Sequence, residues 1–567
     1  MSRNAFHQKL IKLGDMLERF PDWCARNAWW GLAMVSVMFL LLTCTIASKR
    51  MLWNDELFTL YISRLGSLSD ILAVLSTGAD QSPPSFYLLT HVLLKLLGES
   101  HLAIRLPEML GVLLMSFCLF RFVSKRTTTL YGLAAMVFPL ITIAYEYAYE
   151  ARPYGLVLGF SSLALLSWQG ATESPRRVWW LIGLAAGGAA AIFSHYYAVF
   201  LLVPLGAGEI VRSLARKRID LPIWVALGSM LVPLALFYPV IQEARSFAHH
   251  FWSPSEWSMI PSFYYVLLIP ALGPIVATLI VSSLWPSGNP LRHQSLNPPP
   301  SLFFSHEIAA AIGFVAIPVV AVVLGKLVIG AFTYRYALSA VIGFSILCSL
   351  AFKRLDRGRP IIGVCFTLLS CLWFVVMGVN QFNHQSTITR AWSNTYEFLQ
   401  SEGDPGLPIV AGDPHTFMTL AYYGPSALAS RVVYLANPQA SLRFFGHDTV
   451  DRGMLDLKPW FHVAVEEYDA YVALHDRFLI YARVRGDRTW LGYFWGSPWD
   501  WSWLLYELPR ASTQIELMGR NDDDLLFLVT AREQDRAGKA NTVDASVVWG
   551  DHEPRGLSEP VHELSTK

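Results

Sequence analysis

Hydrophobic residues run in long blocks from about residue 28 to residue 380, and then the blocks stop. The first, Ala28 to Ala47, is long enough to cross a bilayer core of about 30 Å. Before it, Phe6, Leu10, Leu13 and Leu17 recur at helical spacing among Arg3, Lys9, Lys12, Arg19 and Arg26. That pattern predicts a cytoplasmic amphipathic segment over 1–27 and sends the far end of the first span outward. The block lacks a small-residue cleavage site and reads as a retained anchor. Further spans are predicted at roughly 105–123, 130–145, 153–170, 178–193, 196–211, 221–241, 262–285, 307–329, 337–352 and 360–379, about eleven in all.

Two shorter patterns lie between the first two spans. Leu57, Leu60, Tyr61 and Leu65 make one helical face over residues 55–65, and Phe86 to Leu97 follows the turn signal Ser82-Pro83-Pro84. Both are too short to cross and are predicted to lie on the outer surface. With that choice Lys125/Arg126, Arg176/Arg177, Arg212 to Arg218, Arg292 and Lys353 to Arg359 all fall inside. The Pro-rich stretch 286–300 reads as a stiff cytoplasmic connector.

Past residue 380 the pattern becomes that of a soluble α/β domain, predicted over 381–531 and outside the membrane. Strands are predicted at Ile409 to Ala411, Arg431 to Leu435, Asp469 to Leu474 and Leu525 to Thr530, with helices near 414–423 and 499–508. Gly412-Asp413-Pro414-His415 lacks a dinucleotide fingerprint. Residues 532–567 read as a polar tail.

Composition agrees with a polytopic α-helical membrane protein: 53% of the 567 residues are hydrophobic, 15% are charged, and mean hydropathy is +0.38. A net charge of +1 points to no nucleic-acid partner. The six cysteines lie in or beside apolar segments, with neither a disulfide framework nor zinc spacing.

What changes the picture is where the remaining charges sit. Asp55 and Glu56 follow the first span at once, where a charge at bilayer depth costs roughly 2.5 to 3.5 kcal/mol. Asn54 is a good N-cap, and acids suit a first helical turn, so capping is the structural alternative. Adjacent helical residues point about 100° apart, so only one of the two acids faces a shared cleft. Tyr145 to Tyr154 holds Glu150, Arg152 and Tyr154 at the outer end of a span, where arginine is usually avoided. Arg152 wants an anion: a lipid phosphate, or a structural partner such as Glu146 or a carboxylate of the first loop. His195-Tyr196-Tyr197 and Thr333-Tyr334-Arg335-Tyr336 occupy two more outward turns. The topology brings Asp55, Glu56, Lys95, Arg105, Glu150, Arg152, His195 and Arg335 to one side of the membrane. Such a face suits sugar transfer from a lipid phosphate, which needs a base for an acceptor hydroxyl and cations for a phosphate that leaves unaided.

The ordered set Trp53-Asn54-Asp55-Glu56, Gln81 to His91, Leu102 to Pro107 and Glu150-Ala151-Arg152-Pro153-Tyr154 resembles the bacterial GT-C glycosyltransferases of the dolichyl-phosphate-mannose protein mannosyltransferase type. His195-Tyr196 and Arg335-Tyr336 match further motifs of that family. The resemblance covers roughly residues 28–380. It implies a GT-C fold with surface helices between the first two spans and a polyprenyl-phosphate sugar donor, in a bacterial cytoplasmic membrane. Carried over, Asp55 becomes the general base with Glu56 beside it. Arg152 becomes a candidate contact to the donor phosphate, and Lys95, Arg105, Glu150, Tyr154, His195, Arg335 and Tyr336 complete the set of candidate contacts to donor phosphate or substrate. The acceptor, a lipid, glycan or protein hydroxyl, stays open, as does a divalent cation at the carboxylates. A transporter, or a membrane anchor for the outer domain, is the competing expectation.

Overall fold

The computed structural model describes residues 16–17, 19–174, 176–284, 303–356, 360–483, 503–508, 513–522 and 524–531. The expected helix around Phe6 to Leu13, the Pro-rich connector with Arg292, the basic positions 357–359 and the polar tail lie outside those residues.

The chain divides into two compact units, Met1–Trp392 with Gly446–His462, and Ser393–Phe445 with Val463–Lys567. The first is a helical bundle. Its opening helices are α1 (Ala28–Lys49), α2 (Asn54–Ser63), α3 (Leu68–Leu75), α4 (Pro84–Leu97), α5 (His101–Ser124), α6 (Thr129–Val137), α7 (Tyr154–Glu173) and α8 (Arg177–Ser194). Among the described residues six helices are long and apolar enough to cross a membrane, including α1, α5, α8 and Met259–Leu284, and two bent pairs raise the number to eight. The other three expected windows hold α6, α7 and Ala340–Leu355, whose side chains are largely buried in the bundle. Buried helices need no lipid-facing stripe, so α7 carries Gln169 and a fully enclosed Trp168. The chain is a multi-pass membrane protein.

Close helix crossing sets the geometry of the site. A Cβ on Gly111 of α5 would lie 2.3 Å from the Gly155 carbonyl oxygen, and one on Gly159 would lie 2.4 Å from the Gly111 carbonyl oxygen. Only glycine allows α5 and α7 to approach this closely. The approach holds the start of α7, and the Glu150 to Pro153 turn before it, against the start of α5.

At the other end of α5, roughly 30 Å from Arg105, several of the expected inside charges are paired. Arg126 makes a fork to Glu307 at 2.9 to 3.0 Å, Gln169 donates to the same carboxylate at 2.7 Å, and Arg212 bridges Glu209 and Asp220 at 2.8 and 2.5 Å.

Among the described residues the second unit holds a six-stranded sheet of order β3-β2-β1-β4-β6-β5. β1 (Ile409–Ala411), β2 (Val432–Ala436), β3 (Val465–Glu467) and β4 (Arg477–Arg483) are parallel, with β5 (Thr513–Asn521) and β6 (Asp524–Ala531) added antiparallel. The strand expected at Asp469 to Leu474 is instead the helix Tyr468–Leu474, which buries Tyr468 and Tyr471 three residues apart on one face. The central β4 and the exposed edge β5 were not expected. Helix Pro414–Tyr423 falls on its expected position, and Leu504–Glu507 falls within the window near 499–508. The change of composition at residue 380 lies inside a single helix, Ile361–Glu402.

Candidate active site

Helix α2 begins immediately after α1, and a buried ion pair fixes the junction. Glu56 is fully enclosed: its Oε1 accepts from Arg105 Nε at 2.7 Å and from the Ala151 amide at 2.7 Å, while Oε2 accepts from Arg105 Nη2 at 2.8 Å. Oε2 also accepts from the Trp53 amide at 3.2 Å, so Trp53, not Asn54, is the N-cap, and Glu56 at the third helical position satisfies its N–H. The Arg105 guanidinium also donates to the carbonyls of Ala47, Arg50 and Met51 at 2.6 to 3.1 Å. These include carbonyls that the last turn of α1 leaves without helical partners. Burial raises the Glu56 pKa, but Arg105 and Arg50 outweigh it and hold the carboxyl below its usual range. Both oxygens and the whole guanidinium are thus committed to the frame. The two expected site residues Glu56 and Arg105 come together, with each other.

With Glu56 turned inward, Asp55 faces the other way. Its Oδ2 accepts from Arg335 Nη1 at 2.7 Å, and Glu150 Oε1 lies 4.0 Å from that same nitrogen. Arg335 sits in the 3-10 turn Tyr334–Ala337, beneath the rings of Trp53, Tyr154 and Trp252 at 5.5 to 5.9 Å. The three rings add cation–π attraction to the guanidinium. Glu150 is buried and is approached from its other side by Arg50 Nη2, 3.5 Å from Oε2, while Oε1 accepts no hydrogen bond. Burial pushes the Glu150 carboxyl up to about 7 against the pull of Arg50 and Arg335.

Tyr336 stacks on Tyr197 at 4.0 Å, and the His195 ring lies 5.1 Å from Tyr336 and 5.3 Å from Tyr154. His195 Nδ1 accepts from the Tyr197 amide at 3.3 Å, which leaves the ring proton on Nε2. Burial, with Arg152 and Arg335 nearby, lowers its pKa to about 3, so the ring is neutral. His195, Tyr154 and Tyr336 therefore form an aromatic wall beside Arg335.

Arg152 finds its anion inside the chain. It donates to Asp80 Oδ2 at 2.8 Å and Oδ1 at 3.3 Å, and lies 3.3 Å from Ser82 Oγ and 3.4 Å from the Tyr87 hydroxyl. The partner is a first-loop carboxylate, the structural alternative of the sequence reading, and Glu146 is not the partner. Lys95 is exposed near the end of α4, about 12 Å along the helix from Tyr87. It is not brought to Arg335: His91, one turn before it, is bonded to the Ser63 carbonyl at the far end of α2.

Sequence reasoning missed Arg50, Asp80 and Trp252. Arg50 carries the same signal as Arg152, an arginine at the end of a span that the charge pattern predicts to face outward, and Asp80 immediately precedes the Gln81-Ser82-Pro83-Pro84 motif. Trp252 sits in no motif. Among the described residues no group of three or more His, Cys, Asp or Glu side chains is placed to hold a metal ion.

The bundle, with the short helices α2 to α4 between its first two spans, has a GT-C fold. Residues 81–242 match the family described as dolichyl-phosphate-mannose-protein mannosyltransferase. In structure the chain is similar to ArnT from Cupriavidus metallidurans in the apo state, with a TM-score of 0.54 and 14% identity over 88% of this chain and 98% of that one. Against the same protein bound to undecaprenyl phosphate the TM-score is 0.53, with the same identity and coverage. No curated protein matches the chain in sequence.

Proposed function

We propose that the chain transfers a sugar from a polyprenyl-phosphate-linked donor to an acceptor hydroxyl, with inversion at the anomeric carbon. The observation that carries this is Arg335, which holds Asp55 at 2.7 Å and Glu150 at 4.0 Å within a shell of Trp53, Tyr154 and Trp252. In this reading Arg335 exchanges Asp55 for the donor phosphate. At an effective dielectric near 20, a phosphate charge about 4 Å away gains on the order of 4 kcal/mol. Asp55, released, takes the proton of the acceptor hydroxyl as its oxygen attacks the anomeric carbon. The bond from that carbon to the phosphate oxygen breaks, and the phosphate keeps the electron pair.

The similar fold of a protein that binds undecaprenyl phosphate supports the donor class. Glu56 with Arg105, and Arg152 with Asp80, are assigned to the frame rather than to substrate. The basic clusters at the opposite end of α5 and α7 support an extracytoplasmic site in a bacterial cytoplasmic membrane. A transporter should place charge at helix breaks near the midplane. The two bent pairs here, at 64° and 48°, break at Phe237 and Ala316, with prolines beside them.

The test is mass spectrometry of lipids that copurify with the unmodified chain, Asp55→Asn and Arg335→Ala, together with a transfer assay from a labelled polyprenyl-phosphate sugar. The proposal expects a retained polyprenyl phosphate, kept by Asp55→Asn and lost by Arg335→Ala, with transfer abolished in both. Retention of bulk phospholipid alone, identical in all three, would overturn it.

A further inference from the structure

A helix from the C-terminal part of the chain belongs to the membrane unit. Thr449–Phe461 is bounded by Gly446 at φ 73° and His462 at φ 52°, and residues on either side of 446–462 belong to the second unit. Two backbone positions in the left-handed region turn the chain into the bundle unit and out again, and at His462 a non-glycine residue bears that conformation.

The helix seats on three segments: two carry a residue at Arg335, Asp55 and Trp252, and the third carries the frame residue Asp80. Phe461 stacks on Tyr61 at 5.0 Å and 21° and lies 5.7 Å from Phe58, both on α2 after Asp55. Gly453 faces Ala79, next to Asp80; a Cβ built on Gly453 lies 3.9 Å from Ala79 Cβ. Arg452 donates to the carbonyl and hydroxyl oxygens of Ser246 at 3.2 and 3.0 Å and covers the Phe247 ring at 4.0 Å. Thr449 Oγ1 donates to the His250 carbonyl at 2.8 Å, two residues from Trp252. Asp451, Met454, Leu457 and Phe461 are buried, so the seat is packed and not a surface graze. The segments beneath also meet each other. At Gly78, φ is 79° and a Cβ would lie 2.8 Å from the Glu243 carbonyl oxygen.

We propose that Thr449–Phe461 is a fixed strap and Phe461 a positioning residue, which together hold Asp55 and Trp252 in register around Arg335 and Asp80 on Arg152. This rests on the transferase reading of that site. Phe461 touches none of the reacting groups. It acts through Tyr61 and Phe58 on the pitch of α2, and a shift of about 1 Å in a reacting group can cost 10²-fold in rate. The C-terminal part of the chain is then required for transfer because it completes the membrane site, whatever else its sheet does.

The test uses the full-length protein in membranes. The pair Ala79→Cys and Gly453→Cys has a Cβ separation within the disulfide range of about 3.5 to 4.5 Å, and single-cysteine variants serve as controls against the six native cysteines. The strap expects a ready cross-link, full transfer activity in the cross-linked protein, and a kcat at least tenfold lower in Phe461→Ala with donor KM and retained lipid unchanged. Adding the cross-link to Phe461→Ala should recover part of the lost kcat, counted per folded molecule so that stabilisation by the disulfide itself does not register. Phe461→Leu keeps the apolar volume, loses the stacking, and serves where the alanine variant does not fold. Failure to cross-link, activity lost on cross-linking and regained on reduction, or Phe461 variants as fast as the unmodified chain would each overturn the proposal. Absence of transfer by the unmodified protein would instead sink the transferase reading, while cross-linking is scored independently of it.

Discussion

Arg335 Nη1 lies 2.7 Å from Asp55 Oδ2, an ion pair that joins the turn before helix Ala340–Leu355 to the first turn of α2, 280 residues earlier in the chain. Each side chain is partly accessible, at 13% and 19%, unlike the sealed pair of Glu56 and Arg105. An accessible pair can exchange partners. Asp55→Asn should therefore lower transfer by about 10²- to 10⁴-fold, the range for loss of a general base, while leaving the thermal midpoint nearly unmoved. Single-turnover rates and melting curves on the same preparation check both halves. A large drop in the midpoint would mark Asp55 as a frame residue.

The sealed pair should behave in the opposite way. Removing one partner of a buried ion pair leaves an uncompensated charge and costs about 3–5 kcal/mol. Arg105→Leu would also strand the carbonyls of Ala47, Arg50 and Met51. Glu56→Gln and Arg105→Leu should both melt well below the unmodified chain and be recovered in low yield. The rate per folded molecule of Glu56→Gln should stay within a few-fold of normal, measured as active-site-normalised transfer. A folded Glu56→Gln protein with no activity would return Glu56 to the chemistry.

How far these roles could be read beforehand depended on the range of the forces involved. Long apolar runs are local, so α1, α5, α8 and Met259–Leu284 fall where hydropathy puts them. Convergence of Asp55, Glu150, Arg152, His195 and Arg335 on one end followed from topology, because charges outside the bilayer sort by side. Pairing is not local. Whether Arg152 meets a phosphate, Glu146 or Asp80 depends on the path of the first loop over α4. Whether Asp55 or Glu56 turns inward depends on where α5 places Arg105. Trp252 and the Thr449–Phe461 strap carry no pattern that marks them, since their role is defined only by what they touch. The misread strand at Asp469 to Leu474 is a run too short for periodicity to separate strand from helix, and burial of Tyr468 and Tyr471 decided it.

Arg152 and Asp80 offer a direct separation of frame from substrate. Their fork geometry predicts strong coupling: Arg152→Ala and Asp80→Asn should each destabilise, and the double variant should cost clearly less than the sum of the two. Lipid retention should be unchanged by Asp80→Asn. A double-mutant cycle on melting, read beside lipid mass spectrometry, makes the comparison. If Arg152→Ala released bound polyprenyl phosphate while Asp80→Asn did not, Arg152 would belong to the donor site after all.

Glu150 should give the protein a pH-dependent stability of definite sign. Burial raises its carboxyl to about 7 in the folded chain, against about 4.3 for an unperturbed glutamate. Between those values the folded protein holds a proton that the unfolded chain has lost. The stabilisation is thus fully present below about pH 4.3 and is lost as pH rises through about 7, with a slope no steeper than about 1.4 kcal/mol per pH unit for one proton. Glu150→Gln keeps the neutral side chain at every pH and should lack this component. Melting curves from pH 5 to 8 in the same detergent should therefore show the unmodified protein losing stability relative to Glu150→Gln as pH increases. The loss has a local cause: above pH 7 Arg50 and Arg335 must support a second buried carboxylate whose Oε1 accepts no hydrogen bond. A donor phosphate on Arg335 would deepen that penalty by bringing more negative charge beside Glu150. Bound lipid should accordingly raise the midpoint of the Glu150 transition above that of lipid-free protein. Superimposable pH profiles for the two proteins would show that Glu150 is ionised throughout and is held by Arg50 and Arg335 as an ordinary salt bridge.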